Sequence, residues 1–253
     1  MTSKTGLPES ETINVLRNRR SIRKYAPTPV SDAHVDAILS GALRAPTSSN
    51  LHAYSVIVVR DPETKSQLAV PCGNQKHIVD CPVFIAFCAD LTRIESAFER
   101  NGHNMENNNL ELGLVASIDA SLVGMAAYVS AESLGIHGVM IGAVRNKPED
   151  IAGILGLPDR VYAVFGMCLG FPTETPKQKP RMPVTGIVHH ERYNADAALG
   201  AIDPYDVDLK NHYDSIGKES HPNSWTHEVD AKFSPRPRDG LRAALKDRGF
   251  DFT

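Results

Sequence analysis

Residues 110–135 read LELGLVASIDASLVGMAAYVSAESLG. Ala, Leu, Val and Met dominate, apolar positions fall on more than one side of a 3.6-residue repeat, and Gly135 supplies a C-terminal stop. The stretch predicts a long, largely buried central helix from about Leu110 to Leu134. Its Met and Ala stripe, Met125 included, is expected in the core rather than against a cofactor. Such a helix needs apolar surfaces around it, and four compact apolar runs provide them. Ser55–Val59, Val83–Cys88, Val139–Val144 and Val161–Leu169 predict buried strands, two before the helix and two after it. Helices and strands are mixed without strict alternation, which favours the α+β class over a doubly wound fold.

Outward from this centre, Ser10 is placed to cap a short helix carrying Ile13 and Leu16, and the chain then turns extended through Ile22, Tyr25, Pro27 and Pro29. Ser31 is a second N-cap, with Asp32 in the first turn. Val35, Ile38, Leu39, Ala42 and Leu43 then keep helical spacing until Pro46. A polar loop, Thr47 to Asn50, follows. Beyond the last strand, Thr173–Pro183 is proline-rich and basic, and Asn194–Ser234 is polar with little periodicity. That stretch predicts an irregular segment, functional or wrapped around something such as a partner subunit. A last helix around Asp239–Arg248 closes the chain. No repeat of solenoid or propeller period is present.

With 253 residues, 42% of them hydrophobic, the chain can bury a sizeable core and suits one large domain. A formal charge of −3 provides no global basic field, so neither nucleic acid nor an anionic membrane is an expected partner. Cys72, Cys81, Cys88 and Cys168 lack CxxC or CxxH spacing, which fits free thiols in a reduced, cytoplasmic compartment. The leader MTSKTGLPESE has no apolar stretch like a signal-peptide core. No later segment is expected to approach the ~20 apolar residues of a bilayer span.

The densest positive patch is Arg17, Arg19, Arg20, Arg23 and Lys24. Guanidinium forks grip phosphate through paired charge-assisted hydrogen bonds, yet on spacing alone a solvated helix face is the first reading. Lys177, Lys179 and Arg181 form a second set. The two could converge on one anionic ligand or be unrelated surface charge. Thr47-Ser48-Ser49-Asn50 offers hydroxyl and amide donors suited to a polar ligand edge, and equally to an ordinary turn. Gly135, Gly138 and Gly142 lack GxGxxG spacing and lead from helix to strand, the reverse of a dinucleotide fingerprint. His189-His190-Glu191 reads as surface, and no metal is expected. No GxSxG or Walker sequence supports covalent hydrolysis or phosphoryl transfer.

Taken together, the motifs resemble the nitroreductase family, in particular its oxygen-insensitive NADPH nitroreductase and flavin reductase branch. Arg19-Arg20-Ser21-Ile22-Arg23 is similar to that branch's (H/R)RSIR motif, Pro46 to Asn50 to its serine-rich flavin loop, and Gly73-Asn74-Gln75-Lys76-His77 to its GGQKH-type loop. Ala131 to Gly135, Val139 to Asn146, Phe165 to Pro172 and Lys179 to Pro183 resemble its AESLG, (Y)IGGxRN, FGLCLGxP and KPRLP patterns. A Ser224-Trp225 pair near the tail also fits.

The resemblance implies an α+β sandwich with a central mixed sheet flanked by helices, in an intertwined homodimer with FMN at the subunit interface. Residues 1–253 would be a single FMN-binding domain, with 194–253 an excursion packing on the partner subunit. Arg19, Arg20, Ser21 and Arg23 are then expected to hold the phosphate and ribityl side, helped by Lys179 and Arg181. Thr47, Ser48, Ser49, Gln75 and the backbone of Met140, Ile141, Gly142 and Ala143 would line the isoalloxazine. A backbone N–H near Gly142 would face flavin N5, and no side chain need be a catalytic nucleophile. Asn50, Arg145, Lys218 and His221 are implied toward nicotinamide or acceptor. The activity implied is ping-pong reduction of nitroaromatics, quinones or related acceptors by NADPH or NADH through FMN. A flavin reductase supplying reduced FMN, and a non-catalytic FMN sensor or storage protein, are the alternatives. Departures are specific: Ser215 to Pro222 lacks the branch's arginines, with Lys218 and His221 in their region. Asn50 replaces a bulkier residue, His52 a glutamine, and Ala143 a second glycine.

Overall fold

The computed structural model describes residues 8–106, 110–218, 224–234 and 238–252. Chain order gives α1 (Glu11–Asn18), α2 (Asp32–Ala42), β1 (Tyr54–Val59), α3 (Pro62–Ala69), α4 (Lys76–Asp80), β2 (Val83–Asp90) and α5 (Thr92–Arg100). The long α6 (Leu110–Ser133), β3 (His137–Ile141), α7 (Pro148–Leu155) and β4 (Val161–Gly170) follow. After them come α8 (Ala195–Gly200), α9 (Ile202–Asp214), α10 (Trp225–Phe233) and α11 (Leu241–Asp247). Two compact units result. One runs to Pro176 and resumes at Gly240; the other is Lys177–Asp239.

The first unit is built on a four-stranded sheet of order β1-β2-β4-β3. Where the resemblance implied a mixed sheet, every pairing is antiparallel. The reason is connectivity: β1 to β2 through α3 and α4, and β3 to β4 through α7, each join neighbouring strands and reverse the chain. β2 is buried along its whole length, and its alternation serves two layers. Val83, Ile85 and Phe87 enter a core with Val35 and Ile38 of α2 and Ala120, Val123 and Ala127 of α6. Phe84, Ala86 and Cys88 enter the opposite core with Leu68 of α3, Ile78 of α4 and Ile151 of α7. Cover on both faces is why the strand reads as a continuous apolar run.

The caps form as their residues dictate. Ser10 Oγ accepts from the Ile13 N–H at 3.2 Å. Ser31 and His34 close a capping box at the start of α2. β3 stops at Ile141, and Gly142 to Val144, expected as the end of the strand, lie in a 3-10 turn, Gly142–Arg145. Arg145 donates to the Val164 carbonyl on β4, drawing the chain out of register. A Cβ on Gly142 would lie 3.4 Å from that guanidinium.

By length and composition α6 could cross a bilayer, contrary to the expectation that no segment approaches such a span. Its placement is that of a core helix. Ala116, Asp119, Ala120, Val123, Ala127 and Ala131 are fully enclosed. Its outer side carries Leu110, Leu114, Ile118, Leu122 and Met125, from 40% exposed at Leu122 and Met125 to 54% at Ile118. Met125 therefore leaves the expected core: steps of three or four residues place it on the outer stripe, while the alanines fill the inner one.

The chain's last helix packs within the first unit. Ala244, Leu245 and Phe250 are buried. Arg160 donates to the Gly249 carbonyl at 2.8 Å and pairs with Glu95 at 3.0 Å, and Arg248 donates to the Val161 carbonyl at 2.8 Å.

The second unit overturns the expectation of an irregular stretch from Asn194 to Ser234, because it contains α8, α9 and α10. Asn194 caps α8 by accepting from Ala197 N–H at 2.9 Å, and Ser224 caps α10 by accepting from His227 N–H at 3.2 Å. α9 buries Tyr205, Leu209, His212 and Tyr213 at helical spacing. Thr226 on α10 donates its N–H to Asp206 on α9 at 3.0 Å.

Candidate functional site

The basic segment leaves α1 in extended form and docks on β3, one of the sheet's two edge strands. Ile22 is buried and donates its N–H to the Gly138 carbonyl at 3.0 Å. The Ala26 N–H reaches the Phe171 carbonyl at 2.8 Å, and the Arg23 N–H reaches Glu174 Oε1 at 2.9 Å. Gly138 itself has no room for a side chain, since a Cβ there would lie 2.0 Å from the Cys168 carbonyl oxygen. From α6, the Tyr128 hydroxyl stands 3.0 Å from the Arg20 carbonyl and 3.2 Å from the Gly138 carbonyl. Burial pushes the Tyr128 pKa up to about 12, so this hydroxyl stays a donor at neutral pH. The Arg19 guanidinium lies 5.2 Å above the Tyr128 ring and donates to Ser21 Oγ at 3.5 Å.

These contacts bring Arg19, Arg20, Ser21 and Arg23 together at one end of β3, which leads through Met140 and Ile141 into the Gly142–Ala143 turn. Arg20 Nε and His77 Nε2 are buried without a hydrogen-bond partner. His77, in the Gly73 to His77 loop, is held below the usual imidazole pKa by burial and by the charge of Arg23. Donors of this kind suit a phosphate-bearing ligand. Met140 is 37% exposed between buried Val139 and Ile141, as strand alternation requires. Gly142 and Ala143 are half-buried in the turn beyond it.

Both loops singled out by motif, Thr47 to Asn50 and Gly73 to His77, carry left-handed backbone. In the first, Ser49, Asn50 and His52 have φ of 45°, 58° and 50°. Strain of this sort in non-glycine residues persists only where surrounding contacts enforce it. The fully buried Asp119 accepts the Ser48 N–H at 2.9 Å and the Ala53 N–H at 3.2 Å. His52 Nε2 and Asn50 Oδ1 are 2.9 Å apart. Thr47 and Ser48 are half-buried; Ser49 and Asn50 are exposed. In the second turn, Gly73 and Asn74 have φ of 79° and 56°, and Gln75 donates to the Cys72 carbonyl at 2.9 Å.

In the second unit, Lys179 donates to the Tyr213 hydroxyl at 2.6 Å and lies 4.8 Å over its ring. Arg181 folds back on the Lys179 carbonyl at 3.2 Å. Lys218 is exposed. His212 is held below its ordinary pKa by burial and by the charges of Lys179, Lys177 and Lys218, which marks a positive neighbourhood at the end of α9. His221 lies outside the described residues. Among the described residues, no group of three or more His, Cys, Asp or Glu side chains is arranged to hold a metal ion.

The profile of the nitroreductase family matches residues 16–171, and that of the family's C-terminal domain matches residues 179–253. This chain belongs to the nitroreductase family. It is 31% identical over 246 residues to the FMN reductase (NADPH) of Bacillus subtilis, spanning 96% of this chain and 99% of that protein. To the oxygen-insensitive NADPH nitroreductase of Salmonella typhimurium it is 34% identical over 226 residues, 87% and 90% of the two chains. The solved structure of NfrA2 from B. megaterium superposes with a TM-score of 0.92 at 35% identity, covering 97% of this chain and all of that one.

Three residues that support this candidate site escape motif reading. Tyr128 and Asp119 sit in the apolar run of α6, and their signal is only that a polar group is tolerated inside a buried helix. Arg93 on α5 donates to the His52 carbonyl at 3.0 Å and to the Tyr54 carbonyl, and pairs with Asp90 at 3.2 Å. Arg145, read as a candidate nicotinamide contact, is turned onto the Val164 carbonyl and supports the turn after β3.

Proposed function

We propose that this protein is an FMN-dependent NAD(P)H oxidoreductase that reduces nitroaromatics, quinones or related acceptors by two-electron ping-pong transfer, as a cytoplasmic homodimer. The observation that carries the reading is the docking of Arg19–Arg23 on the strand that runs into Met140–Ala143, fastened by Ile22 and Tyr128. Positive charge thereby stands at one end of a surface whose other parts offer neutral donors. The buried, unpartnered Arg20 Nε and His77 Nε2, and the hydroxyls of Thr47, Ser48 and Ser49, fit a phosphorylated, ring-bearing cofactor. The relatives named FMN reductase (NADPH) and oxygen-insensitive NADPH nitroreductase support the same cofactor and donor.

In this reading Arg19, Arg20, Ser21 and Arg23 bind the phosphate and ribityl hydroxyls, and Lys179 and Arg181 add positive charge. Thr47, Ser48, Ser49 and Gln75 line the isoalloxazine together with the backbone of Met140 and Ile141. The Gly142 backbone N–H is the donor assigned to flavin N5, with Ala143 beside it. Asn50, Lys218 and His221 are assigned to nicotinamide or acceptor, and Arg145 keeps the Gly142 turn in shape. FMN bound here supplies acceptance of two electrons from the nicotinamide and their delivery to the acceptor.

The apolar outer stripe of α6 supports the homodimer, because a helix apolar on all sides is stable in water only when all sides are covered. The chain acts as one FMN-binding domain. Of the excursion from 194 to 253, residues 240–252 pack in the first unit, which leaves 194–239 as the portion assigned to the partner subunit. Four free, buried cysteines suit a reducing cytoplasm.

The test is to purify the protein, record its visible spectrum and mix it anaerobically with NADPH or NADH. A yellow protein that bleaches, then recovers on adding a nitroaromatic or quinone, supports the cycle and identifies the donor. A colourless protein that cannot be reconstituted with FMN defeats it. A yellow protein inert to both nicotinamides favours the storage or sensor alternative. Turnover of free FMN against a nitroaromatic separates a dedicated flavin reductase, the activity in the name of the B. subtilis relative.

A further inference from the structure

Asp119 is the one carboxylate in the run from Leu114 to Met125, and it is fully buried. Packing alone gives no reason for it, since an apolar residue of similar size would fill the space without desolvating a charge. What it does is accept two backbone N–H groups, Ser48 at 2.9 Å with one oxygen and Ala53 at 3.2 Å with the other. Those amides bracket a turn in which Ser49, Asn50 and His52 all hold positive φ and which contains no glycine. Side chains with a Cβ resist that conformation, so the turn depends on what grips its ends. Arg93 grips the far end from outside, through the carbonyls of His52 and Tyr54.

We infer that Asp119 is a positioning residue for the flavin site, holding the Ser48–His52 turn in the strained form that presents Ser48, Ser49 and Asn50 to the ring edge and the acceptor. The inference rests on the reading of this turn as part of the FMN site. It acts through backbone, not by touching cofactor or substrate. Its chemistry is specific to a short carboxylate. Asparagine offers one acceptor and sets an NH2 group against the other N–H, and alanine reaches neither amide.

The experiment uses the full-length holoprotein and three variants: Asp119→Asn, Asp119→Asn with His52→Gly, and Arg93→Met. The readouts are FMN affinity by flavin fluorescence, visible circular dichroism of the bound flavin, acceptor KM and kcat, and the melting temperature of the apoprotein. Asp119→Asn is expected to weaken FMN binding about tenfold, to change the visible dichroism, and to raise acceptor KM more than it lowers kcat. Glycine at 52 adopts positive φ without constraint, so the double variant should recover part of both losses. Arg93→Met, at an exposed position, should shift the same readouts in the same direction. A folded Asp119→Asn protein with a lower melting temperature but unchanged FMN affinity, dichroism and acceptor KM would overturn the inference. Should Asp119→Asn not fold, unchanged flavin readouts in Arg93→Met would overturn it equally. A wild-type protein that binds no FMN defeats the parent reading, and this inference falls with it.

Discussion

The outer face of α6 and the basic edge beside β3 are both organised by the same helix, yet by different physics. The outer face, Leu110 through Met125, is an uninterrupted apolar stripe held only by the rigidity of the helix beneath it. Along the edge, the Arg19–Arg23 segment is set in place by a hydrogen bond from the Tyr128 hydroxyl to the Arg20 carbonyl, and by the N–H groups of Ile22 and Arg23 donating to the Gly138 carbonyl and the Glu174 carboxylate. Apolar burial is non-directional, so a surface meant for another apolar surface needs shape and little else. Recognition of a phosphate needs donors at fixed positions, and fixed positions need a hydrogen-bonded backbone.

That contrast can be broken at either end. The largest effect is expected from Ile118→Glu combined with Leu122→Glu, which places two charges where the reading buries both side chains. Desolvating unpaired carboxylates costs several kcal/mol, so sedimentation should show monomer at micromolar concentration, with FMN lost in parallel. A protein that keeps dimer mass would refute the role given to the stripe. Next is Arg20→Ala with Arg23→Ala, expected to weaken FMN binding about a hundredfold at about 3 kcal/mol, while leaving sedimentation unchanged. Raising salt should weaken FMN binding and spare assembly, which titrations at two ionic strengths would check.

Tyr128→Phe is a finer test, because it deletes one hydroxyl and keeps the ring under Arg19. The loss should be about 1 kcal/mol, or roughly fivefold in FMN affinity, read by the same fluorescence titration. The smallest effect is expected at His77. Its folded pKa lies below the ordinary value of 6.5, from burial first and Arg23 second, so the folded protein favours the neutral ring. Its stabilising contribution is complete above the unfolded pKa and is lost as pH falls from there through the folded value. The urea midpoint of the apoprotein should drop as pH falls below about 6.5, and His77→Gln should flatten that slope slightly.

Much of this was legible from residue order. Val83–Cys88 declared itself because both its faces are covered, so no polar residue interrupts the run. Ser10 and Ser31 announced their helices through capping chemistry that is local to a few residues. α8 to α10 stayed hidden because α9 turns Tyr205, His212 and Tyr213 inward beside a single Leu209, and polar-tipped rings blur the 3.6-residue signal. The strand end at Ile141 depended on Arg145 reaching Val164 across the sheet, a contact no local pattern encodes. In the proposed site, Arg19 to Arg23 and Thr47 to Asn50 are read from motif order, whereas Asp119 and Arg93 bind backbone amides and carbonyls far away in sequence.

Arg160 and Arg248 have one more consequence, through where they fasten the chain. The strand before the second unit and the helix after it both belong to the first unit, so Lys177–Asp239 is tethered at both ends: in topology an inserted module, not a tail. A single protease cut inside it would leave two fragments that still co-purify, since the severed C-terminal piece remains docked through Ala244, Leu245 and Phe250.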